Sequence, residues 1–505
     1  MPIHPGKYAT FLLAIVLGCA CPSGAVAQPA GEAAARSAWG FDRSDLTPHP
    51  GVRFGVLSNG MRYAAMRNAV PAGGLSVRLR LAGGSALEGE RELGFMHLIE
   101  HLIFHGSANI PEGALPLMLS HQGLKRWTDF NAFTSFEETV YHLDLAKADS
   151  RSRQTALTLM REISTNLVFT RKAVEGAKHK VREEIGARDA LADRITRGQS
   201  TLFVPGTLVA RGPVAGSPAS VGRASGKALQ RLYERAYVPQ RATLVLVGDF
   251  DPQAVEAEID AHFSDWPRGG EAEAEMAAAP VQAGRSGVHL LVDRKADTVV
   301  TIAAVKPLAA AGDLGGRRDS AFLEHLASEM LNRRLAGIAD RADAPFRSAD
   351  IAIYDYFATA RLARIEVAAR DRDWRRALVA GELELRRALE QGFSQAELGV
   401  QLAVSRNALA RDSRPRTTPA LADAIVDSAG RGIVFTQPGN PSASADYLER
   451  VRLEDVNAAF RNAWADPGRL IFTTHDRPIS GGKAAIAEAL RAAAATPVAQ
   501  GASRF

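Results

Sequence analysis

The sequence predicts an α+β chain built of two tandem α/β domains of similar layout. Three observations predict it. Short strand patterns with period-2 alternation are interleaved with longer amphipathic helical patterns. The order of strands and helices read over residues 45–266 repeats over 287–480. Between them, residues 267–286 open with Pro-Arg-Gly-Gly and run on rich in Ala and Glu, the composition of a linker. A chain of 505 residues that is 46% hydrophobic and 23% charged is ordinary globular protein, which excludes collagen-like, coiled-coil and disordered classes.

The elements follow in order. Residues 1–27 read as an export signal: Lys7, an apolar stretch at 8–20 too short to span a bilayer, then Ala25-Val26-Ala27 before Gln28 as the expected mature start. The alternative is a lipoprotein signal acylated at Cys19, which the bulky Leu17 disfavours. No later run has the ~18–20 apolar residues of a transmembrane helix, so the expected location is the periplasm. Asn59-Gly60 between the strand-like runs 54–57 and 61–66 predicts a hairpin. Residues 75–81 alternate Leu75, Val77, Leu79, Leu81 against Ser76, Arg78, Arg80, predicting a half-buried strand. A helix is expected around 94–104, a strand at 139–145, and helices near 150–168 and 171–190. The first domain closes with a strand at 243–247 and a helix begun by Asp251-Pro252, with Val255, Ile259 and Phe263 as its buried stripe. The second domain is expected to hold strands near 288–292, 298–305, 349–357, 361–369 and 469–474, and a helix at 318–335. Residues 481–505, rich in Ala and Gly, read as a loosely held tail.

Composition also limits the chemistry. The excess of 61 Lys+Arg over 56 Asp+Glu is thinly spread, without the basic, aromatic-laced block of a nucleic-acid binder. Cys19 and Cys21 are the only cysteines and both lie in the signal, so zinc–thiolate sites and cysteine nucleophiles are excluded from a mature chain.

The stretch 94–104 is apolar on every side of a helix except at three positions, His97, Glu100 and His101. His97 and His101 are four residues apart and project from one face, a spacing that lets two imidazoles hold one ion; Glu100 lies near the same face. Burying two imidazoles and a carboxylate is costly unless something pairs with them. A third ligand is sought on the helix near 172–190, in Glu183-Glu184. Glu184 continues the stripe Val174, Ala177, Val181, whereas Glu183 falls about 200° from Val181 and points to solvent. Two histidines, a glutamate and an open fourth position form a hydrolytic zinc arrangement.

His97-x-x-Glu100-His101 is the inverted zinc motif of the inverzincins, and the chain resembles the insulinase–pitrilysin family of zinc peptidases. The resemblance extends over Gly123 to Tyr141, with Asn131-Ala132-Phe133-Thr134-Ser135, and over Tyr237-Val238-Pro239 and Val247-Gly248-Asp249. It implies the family's metallohydrolase fold, forming one half of a clamshell. It also implies one zinc per chain held by His97, His101 and Glu184, with Glu100 as general base. Asn131, Ala132, Phe133 and Thr134 become an edge strand to which an extended peptide or unfolded segment adds. The implied activity is an exported zinc metalloendopeptidase; the alternative is a non-catalytic peptide-binding or processing subunit.

The sequence departs from the family at three places. Ala177 stands where a second glutamate is common, seven residues before Glu184; Glu175 is nearby but off the stripe. His105 follows His97 on nearly the same face, at the point where Gly106 ends the helix. The family's Arg and Tyr, seven apart, find only Arg347 and Tyr354, in a strand-like run past the expected place. In the second domain Glu324-His325 lacks a first histidine, Ala321 standing there. One-chain relatives carry four such domains and this chain two, so the resemblance implies a partner half, with a heterodimer favoured over a homodimer.

Overall fold

The computed structural model describes residues 30–121, 129–270, 281–308, 315–357, 359–412, 416–436 and 445–498. The expected signal with Cys19, Cys21 and Gln28, Gly123, the central part of the linker, and residues 499–505 lie outside them. Among the described residues no helix is long and apolar enough to cross a membrane.

Two mixed α/β layers repeat one topology. The first sheet contains β1 (Val52–Val56), β2 (Arg62–Arg67), β3 (Leu75–Ala82), β4 (Phe130–Thr134), β5 (Glu138–Leu145) and β6 (Ala242–Gly248), in the order β1-β2-β6-β3-β5-β4. The second contains β7 (Gly287–Val292), β8 (Val299–Pro307), β9 (Phe346–Tyr356), β10 (Ala360–Ala369) and β11 (Leu470–His475), in the order β7-β11-β8-β10-β9. The second order is that of the first without β1. In each sheet the last strand in sequence is parallel to one neighbour (β2–β6, β7–β11) and antiparallel to the other (β3–β6, β8–β11). Gly60 turns the first hairpin at φ 92°, and the Asn59 amide donates to the carbonyls of Phe263 and Trp266 at 2.7 and 3.1 Å. The hairpin is thereby tied to the end of the helix Pro252–Phe263.

The sequence expectation of a half-buried β3 is corrected. All of Leu75–Leu81 is buried, including Ser76, Arg78 and Arg80. The reason is long-range. Helix Thr418–Arg431, from the second half of the chain, lies on the back of the first sheet, packing Leu421, Ala422, Ile425 and Val426 against Ala64, Val140, Val245 and Val247. Beneath it the Arg78 guanidinium donates to Asp144 (2.8 and 3.2 Å) and to Asp423 (2.7 Å), and Arg80 pairs with Glu138. The exchange is reciprocal: helix Ala190–Phe203 of the first half covers the back of the second sheet, Phe203 and Val204 packing with Val305, Leu362 and Phe472. Ser200 and Tyr356 share a 2.8 Å hydroxyl–hydroxyl hydrogen bond there. Each half of the chain thus helps to bury the other's sheet.

The expectation of a loose tail is also corrected. Residues 482–495 form a helix whose Ile486, Ala489 and Ala493 are buried, and Arg386 donates to the carbonyls of Ala493 and Thr496 at 2.8 and 2.6 Å. Small residues lower the apparent hydrophobicity of this face but let the helix approach Trp374–Glu390 closely.

Candidate active site

The site helix Phe95–Leu102 lies on the front of the first sheet, anchored by buried Phe95, Met96, Leu98, Ile99 and Leu102. It starts at Gly94 with φ 90°, where a Cβ would meet the carbonyl oxygen of Ala215 at 2.7 Å, so only glycine fits. It continues as a short 3-10 turn (Ile103–His105) and stops at Gly106 with φ 98°. His97 and His101, one turn apart, bring their Nε2 atoms to 3.3 Å.

Helix Arg171–Ala187 packs on the site helix through Val174, Ala177 and Val181, all buried, and this contact sets its rotation. Glu184 then faces the histidines, its Oε2 3.4 Å from His97 Nε2 and 3.5 Å from His101 Nε2. Glu183 faces away, paired at 2.9 Å with both His179 and Lys180 at the surface. The three donor atoms therefore form a triangle with sides of 3.3, 3.4 and 3.5 Å. Ligand bonds of ~2.0–2.1 Å at tetrahedral angles place neighbouring ligand atoms about 3.3–3.4 Å apart, so the triangle fits one face of a zinc tetrahedron. Among the described residues, buried His97 Nδ1 has no hydrogen-bond partner.

The electrostatics favour a cation in this triangle. Burial, helped by neighbouring His101, pushes His97 down to about 4, so the ring is neutral and its lone pair available near neutral pH. Glu184 is held down at about 2, first by its hydrogen bond with His101 and then by His97 and Arg188, and is ionised. Glu100 is buried behind the histidines and pushed up to about 7 by that burial. A carboxylate balanced near neutrality can both take and give a proton. One Glu100 oxygen accepts from the Thr134 hydroxyl at 2.7 Å, and Thr139 lies 3.3 Å behind Thr134.

Thr134 closes β4, which pairs with β5 and, among the described residues, has no strand on its other side. Asp144 N–H donates to the Asp129 carbonyl and Ser135 N–H to that of Glu138, so by alternation the backbone groups of Phe130, Ala132 and Thr134 point to the open edge. The Asn131 side chain accepts from Ala132 N–H at 2.9 Å. Side chains at 130, 132 and 134 face the site helix; Asn131 and Phe133 face the back, Phe133 exposed and packed on His142.

The other sequence candidates fall elsewhere. His105 packs against Gly176 and lies 3.8 Å from Glu112. Arg347 and Tyr354 sit seven apart within β9, which puts them on opposite faces of a strand. Arg347 donates to the Ala369 carbonyl at 3.2 Å. Glu324 is paired with Arg361. Glu175 is paired with Lys178 at 2.8 Å, so its carboxylate is engaged away from the histidines. Sequence reasoning missed Glu88, buried under the start of the site helix, for which no spacing signal exists. It also missed Thr139, which the register Thr134↔Thr139 makes findable once the hairpin 130–145 is drawn.

Comparisons with known proteins agree with this architecture. Residues 63–199 match the family described as insulinase (peptidase family M16), and residues 223–336 match that described as peptidase M16 inactive domain. A probable zinc protease PqqL of Haemophilus influenzae is 32% identical over 213 residues, 42% of this chain and 23% of the relative. The Escherichia coli protein of the same description is 29% identical over 220 residues, 43% of this chain and 24% of the relative. The matched stretch thus spans about a quarter of those relatives. The solved first half of the periplasmic protease PqqL from E. coli superposes with TM-score 0.78 at 21% identity, covering 90% of this chain and 99% of that one. Against the longer PqqL structure the same 90% covers 51% of the other chain.

Proposed function

The chain carries insulinase (M16) family domains, and on that premise we propose that it is an exported zinc metalloendopeptidase acting on peptides or unfolded segments. The observation that carries the reading is the donor triangle of His97, His101 and Glu184 with buried Glu100 beside it. In this reading those three side chains hold one zinc. Bound there, zinc supplies a Lewis acid that lowers the pKa of water toward ~7 and polarises a carbonyl. Glu100 accepts the proton of the attacking water and passes it to the leaving amine. Thr134 orients the Glu100 carboxylate through its hydroxyl. An extended peptide adds to the open edge of β4 through the backbone of Ala132 and its neighbours, displacing the Asn131 side chain from Ala132 N–H. Main-chain recognition of this kind favours unfolded substrates with loose sequence preference.

Export rests on the signal pattern in residues 1–27, and the periplasm on that pattern together with the periplasmic description of the solved relative. A second homologous half completes the substrate chamber, more readily a distinct subunit than a second copy, since Arg347 and Tyr354 diverge across β9. The test is metal analysis of the purified chain with hydrolysis of an unstructured peptide, its oligomeric state determined in the same preparation. One zinc per chain with peptide cleavage, alone or with an added homologous half, supports the reading. A metal-free protein that binds no added zinc overturns it.

A further inference from the structure

We propose that Glu88 is a positioning residue for the metal site, a cap delivered from upstream that fixes the first turn of the site helix and with it His97. The inference rests on the zinc reading of His97, His101 and Glu184. The site helix has only eight residues, and His97 is its third. First-turn N–H groups lack intrahelical partners, and an uncapped turn frays. The N-cap position would ordinarily hold Ser, Thr, Asp or Asn, whose side chain accepts from that turn. Here it is Gly94, which makes no side-chain cap. The close approach of Ala215 and Gly216 forbids any side chain there, with a Cβ 2.7 and 2.9 Å from their backbone atoms.

Glu88 supplies what Gly94 lacks. Its Oε1 accepts from Met96 N–H at 2.8 Å, the bond a capping side chain would make, and its Oε2 accepts from Gly94 N–H at 3.0 Å. Both oxygens serve backbone donors at the positive end of the helix, the geometry suited to a carboxylate. The side chain is buried, 1% exposed, where such a group persists only if its partners are fixed. They are fixed: Arg211 donates to the Glu88 carbonyl at 2.9 Å, and Phe95 N–H donates to the Glu92 carbonyl at 2.8 Å. Arg235 holds the Glu92 carboxylate and donates to the Leu87 carbonyl at 3.1 Å. Without this clamp, fraying of the first turn carries His97 Nε2 out of a triangle whose sides it shares at 3.3 and 3.4 Å.

The experiment measures zinc affinity of the full chain by competition with a chromophoric chelator, and melting temperature with and without zinc. It compares wild type, Glu88→Ala, Glu88→Gln and a control, Glu397→Ala. Glu397 is a buried carboxylate paired with Arg334 in the second domain, remote from the site. Glu88→Ala is expected to weaken zinc binding about 10- to 100-fold, the range for losing a group that orients a ligand, and to shrink the zinc-induced rise in melting temperature. Glu88→Gln, keeping one acceptor for Met96 N–H, recovers part of the loss. Glu397→Ala lowers the melting temperature and leaves zinc affinity unchanged. Equal destabilisation of the metal-free and zinc-loaded forms by Glu88→Ala, with wild-type zinc affinity, overturns the proposal. Should Glu88→Ala fail to fold, Glu88→Gln and Glu88→Asp decide it, and wild-type affinity in both overturns it. Wild type that binds no zinc at all removes the metal reading and this inference with it, whereas zinc-binding wild type with an indifferent Glu88 removes this inference alone.

Discussion

Asp423→Asn should loosen helix Thr418–Arg431 from the back of the first sheet without disturbing the site on its front. The Arg78 side chain is 2% exposed and makes its 2.7 Å contact to an Asp423 that is 53% exposed. A fully buried ion pair costs about 3–5 kcal/mol when one partner is removed, and a surface pair is worth ~0–1 kcal/mol. Arg78 keeps Asp144 at 2.8 Å in the variant, so its charge is not stranded. The loss should therefore be about 1 kcal/mol. That corresponds to roughly a fivefold rise in local opening, since 1.4 kcal/mol is tenfold. Hydrogen exchange reads it directly, because regional openings report their own free energies. Amides of 418–431 should exchange about five times faster in Asp423→Asn, with the site helix unchanged. Arg78→Met should cost more, about 2–3 kcal/mol, because both carboxylates lose their cation while retaining access to water. Unaltered exchange in this helix in both variants would refute the view that the ion pair pins the second half of the chain to the first sheet.

Glu184→Gln should abolish or greatly weaken zinc binding while Glu183→Gln leaves it unchanged, as metal analysis after dialysis will show; the reverse order would mean that the rotation of helix Arg171–Ala187 is misread. Thr134→Val should lower kcat several-fold, with Thr134→Ser restoring it, because one charge-assisted hydrogen bond to Glu100 is removed and then returned. His142 should make the fold acid-sensitive. Burial and then Arg78 lower its pKa from 6.5, with Asp144 and Asp423 opposing them and Phe133 covering the ring. Its folded pKa lies below the unfolded one, so the unfolded chain binds the extra proton. Stability from this group is complete above pH 6.5 and declines as pH falls below it. The melting temperature of wild type should drop more between pH 7 and 5 than that of His142→Gln, and equal drops would remove the effect.

Local patterning made the strands and the site helix readable, because each carries its own period and its own stops. Asn59-Gly60 turns a hairpin wherever it stands between strand-like runs, and an all-apolar helix around His97, Glu100 and His101 announces burial. The side of helix Arg171–Ala187 that Glu184 occupies was legible because Val174, Ala177 and Val181 fix its phase. What escaped was long-range. Ser76, Arg78 and Arg80 read as a solvent face because the helix that covers them lies more than 300 residues away in sequence. The tail helix escaped because alanine packs well yet carries a weak apolar signal. Glu88 escaped because a cap delivered six residues ahead of Gly94 follows no capping spacing. Thr134 read as part of a peptide-binding edge, yet its hydroxyl is turned inward to Glu100, which alternation along a strand reveals only once the register is known.

Glu100→Gln, measured for zinc content and peptide turnover in one preparation alongside wild type, separates metal binding from proton transfer at a zinc centre with Glu100 as its base. Glutamine keeps the shape and an acceptor for Thr134 but cannot take a proton from water. Both proteins should hold one zinc per chain, with turnover in the variant lower by about 10²–10⁴-fold. Turnover near the wild-type level in Glu100→Gln, or a wild type that cleaves peptides without zinc, would contradict it.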